Sequence, residues 1–577
     1  MTYQPISLPP GVVRPGTALQ VKGRYWDANL VRWRGSKLEP VGGWQRITST
    51  VTASPIRALF AWTTSISDTW FAMGCDAQLY SLSQSVLTDI SPANLVPSDS
   101  NEDGAYGAWT YGSELYGDDT DPTYPRPPSQ YYQEAFCWSL ENWGADLLAL
   151  SSSDGRLLHF VPGTYTDALE VGHRSISTIA RSSNTVTLTT TVVHDFSVGD
   201  VVVVSGVSNN GFDGTFTVLT VPSNTTITYA QNGSTTTSSG GTVEENIGSA
   251  RAMVVTEERH VMMLAYGGNE RRVAWSKQDT FSQWDFADTT STAGFVDLET
   301  QTYLINCARV REGVLIWTFD EVYLARYVGL PYIYSFERIG TGCGLIAPMS
   351  FAAFAGRCVW LGREGFWLYE GGQIKPLPCD VSAWVFDDMD KPASQLYAFA
   401  SDNGLFNEVW FWFCADDSPI PNRYAIWNYS GDGWWSIGEM SRTAAMRAGV
   451  YPRPIAAGGD NFVYEHETGW TDAGASLVGS RYAETGALNI QNGDRISFLR
   501  SALMDNGYGY DSTEFSVFTS FAPQGTETTS GPYAPRSDGY TDMRATGRDF
   551  RVRIAATEDA AWSIGDVRID VVPRGNR

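Results

Sequence analysis

One pattern recurs along this chain: an apolar strand, a tight turn, and a second strand rich in aromatic residues. It is plainest in CVWLGREGFWLYEGG, residues 358–372, where the turn is Gly362-Arg363-Glu364-Gly365. TWFAMGCDAQLYSL from Thr69, DLLALSSSDGRLLHFV from Asp146, HVMMLAYGGNERRVAWS from His260, VLIWTFDEVYLARYV from Val314, EVWFWFCADDSPIPNRYAIWNY from Glu408 and PIAAGGDNFVYEHETG from Pro454 are of the same kind, making about seven units. Strand centres at Met262, Ile316, Trp360, Trp410 and Val463 lie 54, 44, 50 and 53 residues apart. A period of about 40–50 residues with several short strands in each repeat is the spacing of β-propeller blades.

Two steps are longer, and each holds a segment of different character. Between Phe71 and Leu148 lies an Asp/Tyr/Pro-rich loop, 98–132. Between Leu148 and Met262 lies 176–245, nearly free of charge, in which apolar residues alternate with Thr and Ser, with turns at Gly199-Asp200 and Asp213-Gly214. It reads as a small β-barrel or sandwich inserted in a blade loop, tolerated because loop-closure entropy grows slowly with length. After about residue 475 the strands alternate cleanly: Phe550, Val552 and Ile554 against Arg551 and Arg553, then Val567, Ile569 and Val571 against Arg568 and Asp570. The expected fold is therefore all-β: an N-terminal docking or platform segment (1–50), a β-propeller core (51–175 and 246–474), the inserted small β-barrel or sandwich domain (176–245) and a C-terminal antiparallel β domain (475–577). The outward arginines of that last domain suit an interface.

Composition narrows the function classes. With 43% hydrophobic residues the 577-residue chain can order itself, and 13% aromatic with 56 glycines favours short strands and tight turns over long helices. No window approaches twenty apolar residues and the opening MTYQPISLPPGVVRPG has no apolar core, so neither a membrane span nor an export signal is expected. Forty basic against 64 acidic residues leave a net charge of −24, and the basic side is nearly all arginine, with lysine only at 22, 37, 277, 375 and 391. Such a surface repels DNA, which argues against a tight nucleic-acid binder. Seven cysteines without a C-x-x-C pair, and five scattered histidines, fit reduced buried thiols and no zinc framework.

No nucleophile elbow, P-loop, zinc-protease helix, EF-hand or dinucleotide fingerprint occurs in the sequence. Glu465-His466-Glu467 could form an acid/base cluster, but strand neighbours face opposite ways, so at most the two glutamates share a side, as on any solvated strand. Asp387, Asp388 and Asp390, like Asp118, Asp119 and Asp121, could hold calcium but lack the full loop spacing. Trp410 with Trp412, and Trp434 with Trp435, could form a sugar platform or blade core, and core is the better reading. No enzyme activity, cofactor or metal is expected. Near the N-terminus, Trp26 and Trp33 stand among Arg24, Arg32 and Arg34, a mixture that fits either an interface anchor or a strand closing a sheet.

Several blocks resemble one family: ISLPPGVVRPGTALQVKGRYWDANLVRWRGSKLEPVGGWQRI at the N-terminus, WSLENWGADLLAL (138–150), RRVAWSKQDTFSQWDF with the following TAGF (271–295), VLIWTFDEVYLARYVG (314–329), GTGCGLIAPMS (340–350), VYEHETG (463–469) and RATGRDFRVRI with WSIGDVRIDVVPRG (544–575). Together they are similar to the tail nozzle proteins of short-tailed bacteriophages, also called tail tubular or packaged-DNA stabilisation proteins. The resemblance covers nearly the whole chain apart from the insert. It implies a virion protein made in the bacterial host cytoplasm, with no stable membrane insertion. It also implies a homohexameric tube below an adaptor ring, in contact with tail fibres, spikes or a plug or needle, that retains packaged DNA and conducts it without reading its sequence. Acidic turns at Asp387, Asp388, Asp390, Asp416 and Asp417 are then candidates to line the channel. The alternatives are a carbohydrate-binding or depolymerising tail protein and a monomeric surface propeller acting as a binding module.

Overall fold

The computed structural model describes residues 3–575 except 17–20, 65–67, 99–135, 246, 288–289, 416–417, 432, 489, 491–494 and 523–524. Asp118, Asp119, Asp121, Asp416 and Asp417 lie outside the described residues. The chain divides into two units: Met1–Val51 with Glu364–Phe366 and Pro376–Arg577, and Thr52–Arg363 with Trp367–Lys375.

Seven four-stranded antiparallel sheets follow one another along the described chain, six of them meanders of four sequential strands and the last a meander of three completed by a strand from earlier in the chain. Five belong chiefly to the second unit (56–89, 138–170, 252–297, 304–341 and 351–377) and two to the first (399–439 and 442–466). In the second unit the first strand of each sheet lies beside the first strand of the next, so the sheets stand face to face about a common axis. That is the β-propeller arrangement. Aromatic residues are the slabs between blades. Trp138 lies on Gly74, where a Cβ would sit 2.3 Å from the indole, so only glycine allows the approach. Its Nε1–H donates to the Cys75 carbonyl at 2.8 Å. Trp62 donates likewise to Ala145 (2.8 Å), and Trp360 to Cys343 (2.7 Å). Trp317 stacks on Phe351 at 4.8 Å and meets Trp360 edge-on at 5.6 Å. Trp62, Trp138 and Trp360 thus bury a large apolar area while their polar N–H groups find partners, whereas the buried Trp317 Nε1 has no hydrogen-bond partner. All seven cysteines are free and six are buried.

In the first unit the strand Trp44–Arg46 pairs with Val463–His466 and supplies the fourth strand of the last blade. The expected separate N-terminal platform is not what forms. Tyr25–Asn29 pairs with Tyr482–Thr485 in a five-stranded sheet, while Tyr3–Ile6 and Lys37–Pro40 pair with Ser563–Gly575 in a six-stranded one. The first 50 residues are thereby divided between the last blade and the C-terminal domain, where their strand edges find hydrogen-bond partners. Phe550, Val552 and Ile554 are buried as the alternation requires. The arginines opposite them are engaged within the chain: Arg551 by Glu484 and Glu527, and Arg553 with its guanidinium 3.6 Å from the Tyr482 ring centroid. Asp570, expected on the solvent side, is buried against Arg500.

The insert is a barrel. Its strands run from His173–Ser182 to Thr242–Glu245, and six of them close into a ring, leaving no open edge among those six. Ile179, Leu188, Val202, Val204, Val218 and Ile227 fill it. At its base Gln283 Nε2 donates to Asp200 Oδ1 at 2.8 Å, and Glu245 carries a buried Oε2 without a hydrogen-bond partner. Burial first, then the neighbouring Asp200, pushes the Glu245 carboxyl up to about 9.

Two outcomes follow. Replacing 176–245 with a short Gly/Ser linker should leave the remaining chain soluble and cooperatively folded by circular dichroism and thermal melting, since the barrel has its own core; insoluble protein would contradict this. Because the folded Glu245 stays neutral where the unfolded one ionises, its contribution is complete below about pH 4.5 and is lost as pH rises towards 9. Glu245→Gln should therefore melt higher than the parent at pH 9 and within about a degree of it at pH 5.

Candidate functional site

The strand Val31–Arg34, VRWR, sits in the interior of the first unit and buries residues on both its faces. Trp33 is 2% exposed, with its ring 5.0 Å from Tyr25 and 5.3 Å edge-on to Trp434. Arg32 is also 2% exposed, and two carboxylates clasp it. Its Nε lies 2.9 Å from Glu408 Oε1 and its Nη2 donates to Glu408 Oε2 at 3.0 Å. From the other side Nη1 and Nη2 donate to Glu467 Oε2 (3.0 Å) and Oε1 (2.5 Å). The guanidinium also lies over Phe406, 3.7 Å from the ring centroid. Planar geometry and five donors let one arginine do this, which a lysine cannot.

The carboxylates have further partners. Trp410 Nε1 donates to Glu408, while Asn403 Nδ2 and the Gly42 amide donate to Glu467. Glu467 follows directly on the strand and takes φ 59°, a left-handed conformation that costs a non-glycine residue about 1–2 kcal/mol. Gly42 must be glycine here, since a Cβ would come within 2.6 Å of Glu467 Oε2. One cation between two acids leaves a surplus negative charge. Burial, only partly offset by Arg32, pushes the fully buried Glu408 up to about 7. Arg32 is held firmly charged: burial disfavours the cation, and Glu408 and Glu467 more than restore it.

Beside the clasp, His466 stacks on Trp44 with centroids 5.4 Å apart and accepts a hydrogen bond from Arg442 Nε at 2.9 Å. Burial, then Arg442 and Arg32, hold this imidazole well below its usual range, so it stays neutral. Glu465 and Glu467 do not share one side of a regular strand, because Glu467 leaves the strand conformation; Glu465 accepts from Thr468 Oγ1 at 3.1 Å. A cleft of about 220 Å³ opens onto the network between Arg34, Glu39, Arg453, Trp470 and Tyr508. Its charges answer one another: Arg34 lies 3.5 Å from Glu39, and Arg453 donates to the Glu467 carbonyl and to Thr468. One carboxylate held by a guanidinium on its open side, and another with no exposure, clamp the strand Val31–Arg34 to the blades on either side of it.

The sequence candidates therefore fall into distinct places. Arg32 and Trp33 are interior, which removes them from an outward interface. Arg24 is half-buried, Trp26 is half-buried with Arg14 4.9 Å over its ring, and Arg34 is exposed. Asp387 is exposed, Asp388 pairs with Arg423 Nε at 3.1 Å, and Asp390 caps the helix Lys391–Tyr397 through the Ala393 amide. Trp410, Trp412, Trp434 and Trp435 are all buried core. Among the described residues no group of three or more His, Cys, Asp or Glu side chains is placed to hold a metal ion. Glu408, Asn403 and Arg442 were not singled out by sequence. A lone acid opening the apolar run EVWFWF was the available signal, since a charge on a buried strand requires a partner.

No family model matches the chain, and no curated protein matches it. Among solved structures it is similar to the β-propeller domain of Myceliophteria thermophila Swd1 (7% identity, 74% of this chain and 99% of that one, TM-score 0.28). It is similar also to the Neurospora crassa Pan2 WD40 domain (9%, 60% and 91%, 0.27) and to the phage phi92 endosialidase (12%, 80% and 80%, 0.24).

Removing the cation should be costly. Arg32→Met leaves two buried acids unpaired and is expected to lower the unfolding free energy by about 3–5 kcal/mol in denaturant titrations. Adding Glu408→Gln and Glu467→Gln should restore part of that loss, whereas Glu465→Gln alone should change it by less than about 0.5 kcal/mol. An Arg32→Met chain as stable as the parent would show that the clasp is not what secures this strand.

Proposed function

We propose that the chain is a structural subunit of a phage tail nozzle, six copies of which enclose a channel that retains packaged DNA and conducts it during ejection. The observation that carries this reading is the series of sequence blocks similar to that family, from the N-terminal segment to the last strand, interrupted chiefly by the barrel. The physical properties are consistent with it. Blades packed through tryptophan slabs give a stiff wall, and a net charge of −24 offers DNA few of the counterion-releasing contacts that would hold it. The same reading makes the protein a non-enzyme located in the virion, with an adaptor ring as its neighbour.

Negative-stain images of the purified chain, alone and with its adaptor, should contain six-fold rings. A sharp monomer peak at micromolar concentration with no rings under either condition would overturn the proposal, and release of reducing ends from a capsular polysaccharide would replace it with the depolymerase. Within the nozzle reading, Asp387, Asp416 and Asp417 remain as channel-lining candidates. Changing all three to Arg should slow ejection in vitro without blocking assembly. The slowing should fade as salt rises, because arginine–phosphate contacts are salt-labile.

A further inference from the structure

The two most exposed large hydrophobic side chains among the described residues are Tyr332, at 76%, and Leu330, at 74%. Both sit at the tip of the hairpin formed by Glu321–Gly329 and Ile333–Thr341 in the second unit. The adjoining strand Gly313–Thr318 pairs only as far as Val314 with Ala325. The hairpin therefore runs on for four more residues before it turns, roughly 13 Å at about 3.3 Å per residue. Val328 (53%) and Tyr327 (42%) complete an apolar end.

This prong is anchored. Tyr334 is buried, 5.3 Å from Trp275 and 5.5 Å from His260, and its hydroxyl donates to Thr256 Oγ1 at 2.9 Å. Ile333 is buried too, with φ 60°, a left-handed conformation that β-branched residues avoid. Strain of that kind persists only where the surroundings impose it, and it clusters at functional segments. Here it sends Ile333 inward directly after the outward Leu330 and Tyr332.

We propose that this tip is a peripheral lipid-surface anchor for zwitterionic headgroups, a contact that dips into the interface and does not span it. Ten consecutive residues, Tyr327 to Phe336, carry no charge in a chain that is 18% charged, and the flanking Arg326 and Glu337 neutralise each other at 2.8 Å. Tyr327 and Tyr332 bracket Val328, Leu330 and Pro331. Amphipathic rings around an aliphatic centre suit the headgroup–acyl boundary. A second copy is the weaker fit, because a narrow tip presents far less than the roughly 800 Å² per partner of a stable protein interface. A net charge of −24 is repelled by anionic lipid headgroups. A zwitterionic surface escapes that repulsion and an anionic one does not. The inference stands independently of the nozzle reading.

Flotation of the full chain with dioleoylphosphatidylcholine vesicles tests it. The parent should co-float at 0.15 M salt, little affected by raising the salt, and replacing a third of the lipid with phosphatidylglycerol should weaken binding. Leu330→Ser with Tyr332→Ser should lose tenfold or more of the bound fraction at an unchanged melting temperature, whereas Val86→Ser, at another exposed valine, should not. Because the native cysteines are buried or half-buried, Leu330→Cys carrying a nitrobenzoxadiazole dye should brighten on vesicles. No flotation of the parent, or equal flotation of the double variant, overturns the proposal. So does tip-dependent self-association in sedimentation without flotation, which would assign the prong to a second copy.

Discussion

A single guanidinium ties the start of the chain to its last blades. Arg32 lies between Glu408 and Glu467, which come from different blades, and an indole, an amide side chain and a glycine amide donate further hydrogen bonds to the two carboxylates. In a dry interior such a network is stable only when complete, because each member left alone is a desolvated charge. That condition fixes much around it. It holds Glu467 in a left-handed backbone conformation, excludes any side chain at Gly42, and sets the position from which Trp44–Arg46 joins the final blade.

The blades themselves depend on a different device. Tryptophans lie flat or edge-on between the sheets, and Trp62, Trp138 and Trp360 tie their N–H groups to backbone carbonyls. Apolar area supplies the attraction and the hydrogen bond fixes the ring orientation, so neighbouring blades cannot slide. This explains a composition rich in Trp, Tyr and Phe without any exposed aromatic platform at Trp410, Trp412, Trp434 or Trp435.

The blades were legible in the sequence because each announces itself locally. Six of the seven recognised centres, Phe71, Leu148, Met262, Ile316, Trp360 and Trp410, lie on the second strand of their sheets, the most continuously apolar one; Val463 lies on the third. The barrel was legible for the same reason, through period-two alternation and its glycine turns. What could not be read was pairing at long range. Nothing near Tyr25–Asn29 points to Tyr482–Thr485, and the strand period misplaces Glu467 because a backbone reversal intervenes after His466. The helix Lys391–Tyr397 did carry a signal, Asp390 followed by Lys391 and Pro392, the order of an N-cap and a first-turn proline; it was read instead as an acidic turn.

The pairing of Trp44–Arg46 with Val463–His466 also sets a clock. The strand leaves the ribosome more than 400 residues ahead of its partner, so at roughly 5–20 residues per second it waits some 20–80 seconds unpaired. The blades between can form as they emerge, but the final blade cannot be finished until the chain has been made as far as Val463–His466. A nascent chain cut short anywhere before the last blade therefore keeps a bare strand edge, the feature by which aggregation and quality control would recognise it as incomplete.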